Sequence, residues 1–128
     1  MSATPADDGV VASRVEVVEV EEAEGLLAAG GGGVFTEGEL LYARERVDPA
    51  RRLAARLAAK RAACRLLGGD AAEGEVEVRR DAYGPPSLRL AGAAEARMRA
   101  LGASRALVSL THERTRAAAL VVLVRNGR

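Results

Sequence analysis

Apolar residues recur along this chain with two periods, and the switches between them divide it into nine predicted elements. Valines at positions 15, 17, 18 and 20 interleave with Glu16 and Glu19, which predicts a strand over 15–20. Period two places Glu16, Val18 and Val20 on one face and Val15, Val17 and Glu19 on the other. Residues 21–29 suit a short helix, ended by glycines at 30–33. No Gly-Lys-Ser or Gly-Lys-Thr follows that run, so it reads as a flexible connection and not as a phosphate loop. Thr36 and Glu39 then form a capping box, with Phe35 and Leu40 as the hydrophobic staple across it, opening a helix that runs to about Arg46.

The strongest signal lies at 48–69. Asp48 is placed to cap the first turn, Pro49 sits at the first helical position, and Gly68 and Gly69 stop the helix. On a helical wheel Leu53, Leu57, Lys60, Cys64 and Leu67 share one narrow stripe. Arg51, Arg52, Arg56, Arg61 and Arg65 lie off it, and no acid follows the cap; Arg51, Arg52 and Arg56 read most simply as a solvated basic face, with one of them a candidate phosphate contact. A cationic helix with a lysine on its apolar stripe points to phosphate or an acidic partner. Beyond it come a strand at 75–80, a turn at 81–86, a strand at 87–90 and a short helix at 93–101. A strand at 105–111 and an apolar run at 117–124, suited to a central strand buried on both faces, complete the chain. The order β-α-α-α-β-β-α-β-β implies an α+β fold, with a mostly antiparallel sheet and the helices grouped on one side.

Length sets this within one domain: 128 residues and 13.3 kDa suffice for a real core. Residues 1–13 read as a loose N-terminal extension and 14–128 as the domain. With aromatics at 2% and no tryptophan, valine, leucine and alanine must build the interior. A net charge of +1 argues against non-specific nucleic-acid binding. No apolar run reaches membrane-spanning length and no signal pattern opens the chain. One cysteine on the apolar stripe excludes an intrachain disulfide and suits a reducing cytoplasm.

Three stretches resemble the holo-acyl-carrier-protein synthases, the small 4′-phosphopantetheinyl transferases. VFTEGELLYARERVDPARRLAARLAAKRAACRLLG is similar to the family's F-T-x-x-E-x-x-Y segment and the helix that carries its K-E-A motif. DAYGPPSLRL is similar to its D-x-x-G-[KR]-P hairpin, and ALVSLTHERTRAAALVVL to its S-H-containing ending. The resemblance spans roughly residues 14–124 and implies the 4′-phosphopantetheinyl transferase fold. It also implies coenzyme A as phosphopantetheine donor, an acyl carrier protein as partner, Mg²⁺ on the pyrophosphate, and a homotrimer with sites between protomers. Candidate catalytic residues on this basis are Lys60, His112 and Glu16; candidate coenzyme-binding residues are Arg56, Lys60, Arg61, Arg65 and His112.

The match fails at the metal positions. The family's first-strand Asp is Glu16, its carrier-facing Arg is Glu22, its K-E-A glutamate is Arg61, and a following Lys is Arg65. A unit charge pair at 4 Å is worth roughly 4 kcal/mol near a protein surface, so a cation in place of a ligand turns attraction into repulsion. The expectation is a weakened or lost transferase without a tight Mg²⁺ site, Glu16 being a remnant ligand at most. Two other readings stand beside it: metal-independent chemistry on a carrier-bound acyl or polyketide chain (cyclisation, isomerisation or dehydration), and a non-catalytic regulatory partner of an active synthase.

Overall fold

The computed structural model describes residues 9–80 and 84–125. Its elements are β1 (Gly9–Glu19), α1 (Val20–Ala28), α2 (Glu37–Arg44), α3 (Pro49–Leu67), β2 (Val76–Arg80), β3 (Pro86–Leu90), α4 (Gly92–Ala100), β4 (Arg105–His112) and β5 (Arg116–Arg125). All strand pairing is antiparallel, in a three-stranded sheet of order β1-β5-β4 and a separate β2-β3 hairpin. The element order is the one the hydrophobic pattern predicts. Two bounds differ. β1 begins at Gly9, taking in residues 9–13 that were expected in the extension, because they continue the β5 pairing past an irregularity at Val10/Ala12. Val20 opens α1 instead of closing the strand. Part of the expected hairpin turn, 81–83, lies outside the described residues.

α3 is the axis of the domain and touches β1, β2, β4, β5, α1, α2 and α4. Its buried surface is far wider than the leucine stripe. Ala54, Ala55, Ala58, Ala59, Ala62 and Ala63 are all buried with Leu53, Leu57 and Leu67. Small side chains let neighbouring elements approach the helix on nearly every side, so alanine supplies what a wheel counting only large apolar residues omits. Arg56 and Lys60 are buried too, which corrects the expected solvated position of Arg56, while Cys64 is only half-buried. Asp48 stands at the N-cap without capping: its Oδ1 accepts instead from Arg52 Nε at 3.1 Å, one turn on.

The capping box at α2 forms as read, with Glu39 N donating to Thr36 Oγ1 at 3.2 Å and Thr36 N to Glu39 Oε1 at 2.9 Å. The glycine run before it is shaped rather than loose. Gly31 has φ +72°, and a Cβ there would lie 3.0 Å from Leu40 and 3.4 Å from Phe35, the staple pair. α4 is capped from a distance: Glu75 accepts from Ala93 N at 3.0 Å and Ala94 N at 3.2 Å.

β5 is central, as its apolar run predicts, but only one of its faces is buried. Ala117, Ala119, Val121 and Leu123 meet α3's side of the core. The outer face of the sheet exposes Val15, Val17, Leu107 and Leu120, with Leu120 paired in register to Val15 on one side and Ser109 on the other. Among the described residues no helix is long and apolar enough to cross a membrane.

Candidate functional site

The residues singled out from the sequence separate into three places. Lys60 occupies the first, wholly inside the protein. It is 0% exposed, and its ammonium meets Glu39 Oε1 at 2.7 Å, the Glu73 carbonyl at 3.1 Å and the Val76 carbonyl. Three donors thus have three acceptors. Glu39 is equally enclosed and also accepts from Thr36 N and, at 2.8 Å, from Val78 N. The pair ties α3 to the start of α2 and to β2, and no part of Lys60 is open to a ligand. The helical period puts Lys60 on the apolar stripe; only tertiary packing reveals that its counter-charge is the glutamate of the capping box.

The second place is a patch of alternating charge where α3 passes β1 and α1. Glu16 Oε2 accepts from Arg14 Nε at 2.9 Å and pairs with Arg65. Burial pulls the Glu16 carboxyl up, but the two guanidinium groups outweigh it and hold it below the ordinary carboxylate range. Arg61 grips Glu22 with both terminal nitrogens, one at 3.0 Å, and lies 3.7 Å from Glu73. That grip lowers the Glu22 pKa and raises that of Arg61. The two departures at positions 22 and 61, distant in sequence, are therefore one ion pair. Glu19 faces the other way and pairs with Arg116 at 2.8 Å, an acid on the edge strand β1.

The third place is a basic cleft between α2, α3, β2 and the end of β4. A cavity of about 270 Å³ is lined by Arg52, Arg56, Arg80, Tyr42, Thr111 and His112. A second, of about 370 Å³, shares Tyr42, Arg56 and Arg80 and continues past Gly38, Glu77 and Arg79. Arg56 is only 3% exposed, yet among the described residues it forms no ion pair, and its Nε is a buried donor without an acceptor. The Tyr42 ring lies 4.0 Å from the Arg56 guanidinium and 4.1 Å from that of Arg46. Burial lowers the Arg56 pKa and outweighs the opposing pull of Tyr42 and of Glu39, whose carboxylate lies beyond ion-pair distance.

Arg56 and His112 are thus brought together, whereas Lys60, Arg61, Arg65 and Glu16 are not in this cleft. Sequence reading missed Tyr42, Arg80 and Thr111 as its walls, while Arg52 is one of the three arginines considered for phosphate contact. Tyr42 did carry a signal, since it closes the F-T-x-x-E-x-x-Y pattern one turn beyond Glu39.

No protein-family model matches the chain. Two curated relatives decide the family. The holo-[acyl-carrier-protein] synthase of Alkalilimnicola ehrlichii is 38% identical over 125 residues, covering 89% of this chain and 96% of its own. That of Photorhabdus laumondii is 36% identical over 124 residues, covering 91% and 98%. This chain belongs to the holo-[acyl-carrier-protein] synthase family. Solved synthases have the same fold: that of Neisseria meningitidis superposes with a TM-score of 0.77 at 25% identity, covering 90% of this chain and 98% of its own. The Bacillus anthracis synthase, solved in complex with CoA (3′,5′-ADP), gives a TM-score of 0.73 at 24% identity, with coverage of 91% and 98%. Set within the synthase family, the α+β order, the antiparallel pairing and the long central helix are the family's fold.

Proposed function

We propose that this chain binds coenzyme A through its phosphates and transfers the 4′-phosphopantetheine arm to a serine of an acyl carrier protein, slowly compared with synthases that keep a carboxylate at position 61. The observation that carries coenzyme binding is the cleft walled by Arg52, Arg56, Arg80 and His112, where among the described residues the buried Arg56 guanidinium has no carboxylate within ion-pair distance and an unpaired Nε. A ligand with several phosphates supplies that charge. In the transfer the serine oxygen bonds to the phosphorus that carries the pantetheine arm. The bond from that phosphorus to the adenosine half breaks, 3′,5′-ADP leaves, and the serine proton passes to a base or to water.

Of the three acid–base candidates, His112 is the one on the wall of this cleft. Glu16 is neutralised by Arg14 and Arg65, and Lys60 serves the fold. The donor set at Glu16 does not suit Mg²⁺, which wants several hard oxygens at short distance. One carboxylate already holds two arginines, and a third arginine stands at position 61. The loss of that ligand is the reason for slow transfer.

The exposed apolar face of the three-stranded sheet supports a homotrimer, since a strand as apolar as β5 suits burial on both faces and this chain alone covers one. The half-buried single thiol Cys64 fits a reducing cytoplasm. Chemistry on an acyl chain finds less support. An open groove of about 590 Å³ near Leu27, Val47 and Pro49 has mixed apolar and charged walls, and none of His112, Lys60 and Glu16 lines it.

The test is incubation with apo carrier protein, coenzyme A and Mg²⁺, following the added arm by mass spectrometry. Slow product formation is expected. No product over hours removes the transferase reading, and a rate equal to that of a metal-complete relative overturns the account of position 61. Light scattering reads the oligomer: a trimer is expected, and a monomer at micromolar concentration refutes the sheet interface.

A further inference from the structure

We propose that Tyr42 is a positioning residue for the anion-binding guanidinium of Arg56: its ring face holds the cation in place until a phosphate oxygen takes over the charge. The inference rests on the coenzyme reading of the same cleft and adds a device that reading does not contain.

The argument starts from an electrostatic imbalance. Arg52, Arg61, Arg65, Arg79, Arg99 and Arg116 each have a carboxylate within ion-pair distance. Lys60, as enclosed as Arg56, has Glu39. What sets Arg56 apart among the described residues is that it is buried with no carboxylate within ion-pair distance; Glu39 acts on it only from farther off, and a buried charge without a close partner loses hydration for little return. What it has instead is one backbone acceptor, the Arg52 carbonyl at 3.3 Å, and the face of Tyr42 at 4.0 Å. An aromatic face is the weak substitute for an anion that a desolvated guanidinium can use. It stabilises the cation in the empty cleft but lacks full negative charge, so an incoming phosphate still gains by pairing.

Geometry selects Tyr42 for this task. The ring lines both adjoining cavities, as Arg56 does, so plate and cation border the same space. Arg46 also stands against this ring, 4.1 Å from the centroid. Burial would raise the Tyr42 phenol pKa, but Arg46, Arg56 and Arg52 outweigh it and lower it, a sign of how much positive charge surrounds this ring. The ring touches Arg56 and acts through it.

Isothermal titration with coenzyme A and, separately, with inorganic pyrophosphate tests this on the full chain. Tyr42→Leu removes the plate and is expected to weaken both ligands by about fivefold to thirtyfold. Tyr42→Phe keeps the plate and is expected to stay within about threefold of the parent chain. If Tyr42→Leu does not fold, phenylalanines of increasing ring fluorination at position 42 retain the shape while draining charge from the ring face. Affinity should then fall stepwise with fluorine number. Unchanged binding in Tyr42→Leu, equal losses in Tyr42→Phe and Tyr42→Leu, or a flat fluorine series overturns the proposal. If the parent chain binds pyrophosphate but not coenzyme A, and Tyr42→Leu weakens that binding, the coenzyme reading fails and the role of Tyr42 stands. Binding of neither ligand overturns both.

Discussion

Lys60→Met separates a structural lysine from a chemical one. The substitution keeps an unbranched side chain of similar length and removes the charge. Glu39 would keep a fully buried side chain with the N–H donors of Thr36 and Val78 but no cation, and the carbonyls of Glu73 and Val76 would lose their donor. Removing one member of a buried ion pair costs about 3–5 kcal/mol, because the partner charge is left behind. Methionine fills most of the vacated space, so a cavity adds little. At the size of this domain the loss corresponds to a fall in Tm of roughly 10–20 °C. Adding Glu39→Gln should recover part of it, since the amide oxygen still accepts an N–H and no charge remains buried. Thermal and urea unfolding of the parent chain, both single variants and the double variant measure the cycle, with coenzyme titration at a temperature where each is folded. A Lys60→Met variant melting within about 2 °C of the parent, yet losing coenzyme binding, would refute the structural assignment and return Lys60 to the ligand.

Three further outcomes follow from the same contacts. Glu22→Arg and Arg61→Glu should each destabilise by about 1 kcal/mol, a small value because both side chains are partly exposed, while the double reversal restores stability to within about 0.5 kcal/mol in urea unfolding. Equal losses that simply add would show the pair to be uncoupled. Glu77 sits below the ordinary carboxylate range chiefly through the Thr36 hydroxyl, Glu22 through Arg61, and Glu16 through Arg14 and Arg65 against the pull of burial. A folded pKa below the unfolded value of about 4.3 stabilises the protein above that pH, and the stabilisation is lost as pH falls through the folded values. Melting temperatures between pH 3 and 6 should therefore drop on the acid side, and a flat profile there would contradict the ion pairs. Gly92→Ala should cost about 2 kcal/mol, since φ is +55° and the new Cβ would lie 2.3 Å from Glu75 Oε2, the acceptor that caps α4. Unfolding in guanidinium measures it.

Local patterns in the sequence were enough for the order and type of every element, because each is specified by contacts a few residues apart. The capping box at Thr36 and Glu39, Pro49 at the first turn of α3, the positive-φ Gly68 and the alternation along β2 and β4 are all short-range devices. The motif resemblance placed Arg56 and His112 among the coenzyme candidates, and they share one cleft. The sequence could not say which charge faces which. Position 61 alone reads as a lost metal ligand and position 22 alone as a solvated acid. Only the packing of α1 against α3 makes them one ion pair, 39 residues apart. Helical period set Lys60 on the apolar stripe and Arg56 off it, yet packing buries both. Tertiary structure gave Lys60 the carboxylate of Glu39 at ion-pair distance and gave Arg56 the ring of Tyr42 and a backbone carbonyl, because Coulomb energy depends on distances that chain order does not set. That difference makes one cation part of the core and leaves the other open to an anion.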